Sequence, residues 1–509
     1  MDTIRSESRT IAIVGGGFAG TTLARRLQPR LPPGWRLVLV SEESYTTFNP
    51  MLPEVVGAAV FPEHVVAPIR EMLRQGATSQ FVMGRVSSVD TERRCVRADT
   101  LAGVRTIAYD QLVLAFGVRA KLDLIAGFEQ HALPLKLVGD AMAIRNRVLQ
   151  RVARIELEDD PKLRRRLGHF VVVGGGFSGV EVAGALADFL HDALRWYPRV
   201  RGDELTVTVI ETGARLLAEL PEALGLAAAR SLQQRGVTVR LETRAVQVDA
   251  EGLVLDSDER IESATVIGTI GTQSNPLVQS LGVPLVRGRI VTAPDMSVPG
   301  LAGVWAIGDC AYVPNEAARG RDERAARMHD GAADAPAPCA PPTAQFAVAQ
   351  AHALMPNLIA AIEGAPTRAF GYTAKGMMAT TGHRRGVAQI GRWSFAGLPA
   401  WLLWRGYYLL LMPTLGRKLR IWVEWTWSML FSLDITHLRF TRTDEVDAHP
   451  LRAEPVEALS GARPSTSSGR TDRGAGPSTS SGRTEPGSGR TEPGSSRTEP
   501  GSGRTVSHL

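Results

Sequence analysis

The sequence predicts an α/β fold with two doubly wound parallel-sheet units, followed by an amphipathic C-terminal region. Three observations carry that expectation. Residues 10–20 read TIAIVGGGFAG and residues 169–179 read HFVVVGGGFSG, so one strand–glycine–helix pattern occurs twice. Residues 304–311 read VWAIGDCA, a short apolar strand that breaks at Gly308-Asp309 before a helical stretch. Between 398 and 431 two apolar runs rich in Trp and Tyr flank a basic cluster.

The repeats come first. Each is a β-branched apolar run that breaks at glycines and resumes with helical spacing. The helices are expected over 18–27 and 177–190, with following strands over 36–40 and 205–210. Gly15, Gly17 and Gly20 in the first copy, and Gly174, Gly176 and Gly179 in the second, form a GxGxxG loop. Such a loop turns the backbone tightly, admits a pyrophosphate and aims a helix N-terminus at it. A single loop of this kind is weak evidence; two, about 160 residues apart and each set between strand and helix, point to two Rossmann-like dinucleotide-binding domains.

An acidic residue closing the next strand is expected to meet ribose hydroxyls. In the second copy it is Glu211, at the end of LTVTVIE and 32 residues past Gly179. The usual spacing is ~20, so the intervening helix or loop is expected to be extended. Thr212 follows where an Arg would welcome a 2′-phosphate, which favours NAD over NADP. In the first copy Ser41 holds the acidic position and Glu42 follows it. Glu42 is the candidate, and whether Ser41 or Glu42 contacts the ribose stays open. A solvated strand end is the alternative for either glutamate.

Composition narrows the class. A chain of 509 residues has room for two or three domains. Its formal charge of +6, from 58 Lys+Arg against 52 Asp+Glu, is mild, and much of the Arg lies in a low-complexity tail. No concentrated basic face with interleaved aromatics is legible, which argues against nucleic acid. Cys95, Cys310 and Cys339 make no CxxC and no metal-ligand spacing, so no metal is expected and a reducing compartment is. No run of 18 apolar residues announces a spanning helix, and residues 1–10 lack the apolar core of a signal peptide. From 398 to 440 five cations face two acids, net +3, and the aromatics suit a membrane interface. A buried helical hairpin or a homodimer interface is the alternative for this segment.

Further motifs carry a resemblance. VWAIGDCA resembles the second FAD motif of flavin-disulfide-reductase-like enzymes, which implies that Asp309, beside Gly308, meets the ribityl chain. YDQLVLAFG at 109–117, ending in Gly117, resembles the strand and turn before their interdomain crossover. The segments YTTFNPMLPE (45–54), GGGFSGVEVAGAL (174–186) and PPTAQFAVAQ (341–350) are similar to those of the type II NADH:quinone oxidoreductases, over roughly residues 10–440. That family belongs to the FAD-dependent pyridine nucleotide-disulfide oxidoreductases. The resemblance implies FAD on the first unit, NADH on the second and two-electron transfer to a membrane quinone without proton pumping. Glu181, two residues past Gly179, matches the family's carboxylate near the nicotinamide–flavin contact. Gln345 matches the first glutamine of the quinone motif AQxAxQ, while Ala349 stands at the second position with Gln350 one residue on. Glu181 and Gln345 are therefore the candidate catalytic residues; an acid in a first helical turn also has a purely structural use at the dipole.

The resulting organisation is an FAD-binding domain over 10–125 and 296–365, interrupted by an NADH-binding domain over 126–295 and carrying a loop insertion at 314–342. A membrane-associating region at 366–440 and a disordered tail at 441–509 follow. Residues 465–505 repeat STSSGRT and GRTEPGS-like units that cannot bury enough apolar surface to order themselves. The expected location is peripheral, on the cytoplasmic face of the cell membrane. Two rivals stand beside this reading. A sulfide:quinone reductase-like enzyme would need redox cysteines facing the flavin, and a non-catalytic NAD(H)-sensing flavoprotein would show no turnover with any acceptor.

Overall fold

Backbone pairing follows the glycine repeats closely. The computed structural model describes residues 8–318 and 339–438, all within a unit spanning Met1–Gly461. The second unit, Ala462–Leu509, most of the expected insertion (319–338) and the expected tail lie outside the described residues.

β1 (Arg9–Val14) is apolar and buried from Thr10 onward, as a central parallel strand must be. It leads through the first glycine loop into α1 (Phe18–Leu27), where Ala19, Leu23 and Leu27 recur every four residues and are buried. β2 (Trp35–Ser41) pairs in parallel with β1. The short α2 (Leu52–Val56) comes next. Then follow β3 (Ser79–Asp90), β4 (Cys95–Thr100), β5 (Gly103–Ala108) and β6 (Gln111–Leu114).

A second sheet is then built from β7 (Ala132–Pro134), β8 (His169–Val173), β9 (Thr206–Ile210), β10 (Val237–Arg240) and β11 (Thr265–Gly268). Its order is β7-β11-β8-β9-β10, parallel throughout. α3 (Val138–Leu157) and α4 (Pro161–Gly168) precede β8, and α5 (Phe177–Ala193) follows it. The extension expected before Glu211 is visible here, because α5 has 17 residues against 10 in α1. The chain then rejoins the first sheet at β12 (Val304–Ala306), giving the order β12-β6-β1-β2-β3-β4-β5.

α6 (Ala344–Glu363) starts at Thr343, whose hydroxyl accepts the Phe346 N–H, and buries Phe346, Ala347, Ala351 and Leu354 in the core of the first sheet. The region expected to be membrane-associating as a whole, 366–440, begins instead with an antiparallel sheet: β13 (Gly376–Thr380), β14 (Gly386–Ile390) and β15 (Trp393–Ala396). Helices α7 (Leu398–Leu411) and α8 (Leu415–Leu430) follow. α7 buries Trp401, Trp404 and Arg405, and α8 buries Ile421 and Trp425. Trp404, Ile421 and Trp425 join the core of the second sheet, together with Val55 and Val56 of α2 and Val182 and Leu186 of α5.

One buried ion pair ties α4 to the second sheet. Arg164 donates Nε–H and Nη2–H to the two Glu204 oxygens at 2.7 and 2.8 Å, and Glu204 is 3% exposed. The Arg164 hydrogen bond holds the Glu204 carboxyl down at about 2, against an ordinary 4.5. A depressed acid contributes stability above its unfolded value and loses it as pH falls towards its folded value. Glu204→Gln is therefore expected to cost about 3 kcal/mol at pH 7. By chemical denaturation, the difference from wild type should shrink as pH drops from 5 to 2.

Candidate active site

Both glycine loops open a helix N-terminus without a side-chain cap onto open space. Gly15 (φ +119°) and Gly174 (φ +113°) turn through conformations that side chains rarely adopt. A Cβ on Gly20 would lie 1.9 Å from the Gly15 carbonyl oxygen, and one on Gly179 would lie 1.8 Å from that of Gly174. The third glycine thus lets each helix start directly against its loop. Gly17 and Gly176 are the N-caps of α1 and α5, with no side-chain cap, and a Cβ on either meets nothing within 4 Å. Uncapped first-turn N–H groups facing open space form an anion cradle.

The two second strands end differently. The Glu211 carboxylate accepts the Gly175 N–H at 2.6 Å and the Gly213 N–H at 2.7 Å, so it lies against the second loop. At the matching place in the first unit stands Ser41, buried, its hydroxyl where a Gly16 Cβ would otherwise go. Glu42 is exposed, one residue farther on and 4.0 Å from Arg85 Nε. Of the two residues left open by the sequence, Ser41 is the one at the loop.

Gly117 (φ +65°) turns the chain after β6, and Gly308 (φ +76°) does so after β12. The Gly308 N–H donates to Gln350 Oε1 at 2.7 Å, and Gln350 is buried. Gln350, one place off the expected glutamine position, therefore secures the Gly308-Asp309 turn. Burial pushes the Asp309 carboxyl up, opposed by the charges of Lys136 and Arg289. Cys310 is buried, its thiol pointed at the Leu114 and Ile307 carbonyls, and burial pushes it up to about 12. A thiol held neutral in this way is a poor nucleophile. All three cysteines are free.

The candidate catalytic residues meet on one helix. Glu181, buried on α5, accepts the Trp404 indole N–H at 3.0 Å and the Thr380 N–H at 3.1 Å. Gln345 donates Nε2–H to the Tyr407 hydroxyl at 3.3 Å and accepts the Lys375 N–H at 3.0 Å. Trp404 and Tyr407 both belong to α7, and their rings meet Tyr408 edge-on at 4.7 and 5.5 Å. From Tyr408 the row continues through Phe48 (5.6 Å) to Phe18 (5.6 Å), the residue after Gly17. An aromatic wall thus runs from the first loop to both candidates. Sequence reasoning singled out neither Tyr407, Trp404 nor Arg405. Their signal was the mixed run WLLWRGYY, where polar-tipped aromatics and an Arg interrupt an otherwise aliphatic helix.

Two anion cradles on separate sheets, one parallel throughout and one mixed with antiparallel outer strands, with an aromatic wall from the first cradle to a buried carboxyl, define a dinucleotide-dependent oxidoreductase. The chain belongs to the pyridine nucleotide-disulphide oxidoreductase family, which residues 9–351 match. Among curated relatives, the type II NADH:quinone oxidoreductase Ndh of Mycobacterium tuberculosis is 28% identical over 463 residues, 88% of this chain and 94% of that protein. Among solved structures, NDH2 from Plasmodium falciparum in complex with NADH shares the fold with a TM-score of 0.76 at 18% identity, over 84% of this chain and 100% of that one. The sulfide:quinone oxidoreductase of Aquifex aeolicus has a TM-score of 0.61 at 14% identity, over 86% of this chain and 100% of that one. These structural likenesses concern the fold.

Burial lifts the Glu181 carboxyl from 4.5 to about 8, against the pull of its two donors, while the charge of Glu54 adds to the lift. A raised acid contributes stability that is fully present below its unfolded value and lost as pH rises through its folded value. Glu181→Gln, neutral at every pH, should therefore gain stability relative to wild type between pH 5 and pH 9. Melting temperatures across that range check the sign.

Proposed function

We propose that this protein oxidises NADH through FAD and reduces a quinone at a membrane surface. The observation that carries the reading is the convergence of Glu181 and Gln345, from different parts of the chain, on α7 beside the wall that starts at the first glycine loop. The overall balance is NADH + H⁺ + quinone → NAD⁺ + quinol. FAD, when bound, would supply the two-electron chemistry.

The residues present fit the cofactors. The Gly15-Gly17-Gly20 loop and the turn at Gly308-Asp309 would hold FAD, with Ser41 at the ribose. The Gly174-Gly176-Gly179 loop would hold NADH, with Glu211 taking the ribose hydroxyls and repelling a 2′-phosphate. Glu181, able to carry a proton near neutral pH, would serve proton transfer on the acceptor side. Gln345 would offer its amide to a quinone carbonyl. Relatives and fold neighbours named for NADH and quinone support this assignment. The sulfide reading needs a reactive thiol pair, and the buried thiol of Cys310 counts against it.

The outer face of the α7–α8 hairpin supports a membrane surface. Leu410, Leu415 and Leu430 are 73%, 82% and 74% exposed, with Trp422 and Trp427 beside them and Arg417, Lys418 and Arg420 between. No helix among the described residues is long and apolar enough to cross a membrane. An apolar, Trp-bearing face with a basic cluster suits shallow docking on an anionic leaflet. Three free cysteines suit a reducing compartment, hence the cytoplasmic face in this reading.

Two experiments test the proposal. In anaerobic stopped-flow, NADH should bleach the flavin and a short-chain quinone should restore it. Gly17→Val should lose FAD, and Gly176→Val should keep FAD but bind NADH at least tenfold more weakly, both with normal folding because a Cβ there meets no protein atom. Bleaching by sulfide but not NADH would overturn the reading. For the membrane, Leu415→Glu with Leu419→Glu should weaken co-sedimentation with anionic vesicles by at least tenfold. Turnover with a water-soluble quinone should be unchanged.

A further inference from the structure

A second acid, partly buried, lies near Glu181. Glu54, on α2, has Oε2 buried and without a hydrogen-bond partner. Close by, the Arg405 guanidinium lies between the rings of Trp401 (3.9 Å) and Trp425 (4.8 Å), donates to the Trp425 carbonyl at 3.4 Å, and leaves its Nε–H buried and unpartnered. Both residues line a cavity of about 210 Å³ whose wall also includes Asp188, His191, Thr380 and His383. His191 is exposed, so the cavity runs from solvent inward. Thr380 forms part of its inner wall, and the Thr380 N–H is one of the two donors that hold Glu181. A space of this size that holds unsatisfied donors and acceptors on an otherwise apolar wall has room for several waters.

The reaction needs such an inlet. NADH delivers two electrons and one proton as hydride, whereas quinol carries two electrons and two protons. One proton per turnover must come from solvent. Glu181 itself is buried under Trp404 and Thr380.

We propose that water in this cavity carries protons from the surface to Glu54, and that Glu54 reloads Glu181 after each quinone reduction. The inference rests on the role given above to Glu181. Only O–H bonds form and break along the route: Glu181 gives a proton to the acceptor side, Glu54 replaces it, and water at the His191 rim replaces that. The electrons do not pass this way. The electrostatics agree with the geometry. Burial raises the Glu54 carboxyl, opposed chiefly by the Arg405 charge and the Trp425 indole, with Asp188 adding to the rise. Glu181 faces Trp404, Thr380 and Glu54. The Asp188 carboxylate at the wall faces Arg235, His383, His191 and Arg385.

The test uses the FAD-loaded full chain and three variants: Glu54→Gln, Glu181→Gln, and Ala59→Phe, which adds a bulky side chain to the cavity wall and replaces neither acid. NADH should bleach the flavin of Glu54→Gln at the wild-type rate. Reoxidation by a short-chain quinone, followed over repeated turnovers so that Glu181 has to be reloaded, should be at least tenfold slower, slower still in D₂O, and restored by imidazole, a small diffusible proton carrier. Ala59→Phe should show the same slow reoxidation without rescue. Wild-type reoxidation in Glu54→Gln with slow reoxidation in Glu181→Gln overturns the inlet and leaves the role of Glu181 standing. Wild-type reoxidation in both removes the two together. A slow Glu54→Gln that imidazole does not rescue marks Glu54 as structural and also overturns the inlet.

Discussion

A carboxyl group shut away from water persists only where donors satisfy it or a proton neutralises it, and Glu181 meets that demand with groups from the C-terminal region. Its Oε1 takes the Thr380 N–H at the end of β13 and the Trp404 indole N–H on α7. Those two bonds seat the antiparallel sheet and the hairpin on α5. Once Trp404 is seated, Tyr408 stands edge-on to it and Tyr407 reaches Gln345. The next residue, Arg405, is caught between Trp401 and Trp425. Removing the donors would leave a buried acid with no partner and loosen the hairpin at that point. The same two bonds therefore shape both the acceptor side of the site and the cavity behind it.

The hairpin also shows why a run of apolar residues is ambiguous when read alone. Trp401, Trp404 and Trp425 are buried in the molecule, while Trp422 and Trp427 of the same helices are exposed. Helical phase separates them, since Ile421 and Trp425 sit four residues apart on the inner face of α8. The expectation of a membrane-associating segment and its alternative of a buried hairpin each describe one face. The inner face anchors the hairpin to the core, and that anchorage leaves the outer leucines free of any intramolecular role.

What the sequence made legible was the part dictated by the backbone. Gly15, Gly20, Gly174 and Gly179 are required by positive φ or by carbonyl oxygens about 2 Å from where a Cβ would lie, so a local pattern revealed them. The two strands and helices around them followed from apolar spacing alone. Tertiary encounters were not legible in that way. Gln350 looked like a displaced motif residue, and only the fold shows that its amide holds the Gly308 N–H. Glu54 closed a quoted segment without any role, because its neighbours Arg405 and Trp425 lie more than 350 residues away in sequence. The sheet at 376–396 was missed for a related reason: short strands with Gly and Met carry little period-2 signal.

The two glycine loops differ in a single respect that bears on selectivity. In both, the middle glycine is required by whatever side chain ends the second strand. A Cβ on Gly16 would lie 2.3 Å from the Ser41 hydroxyl, and one on Gly175 would lie 2.8 Å from the Glu211 Cβ. The cradle is therefore the same device twice, generic for a pyrophosphate. Discrimination lies one strand away. On the proposed assignment, Glu211, pinned by two backbone donors, would accept from ribose hydroxyls and oppose an added phosphate. Ser41 presents no charge and rejects little. A loop whose ligand stays bound through many turnovers has no competing nucleotide to exclude, whereas one whose ligand must exchange at every turnover does. With FAD on the first loop and NADH on the second, as proposed, the charged residue stands at the loop where that exclusion would matter.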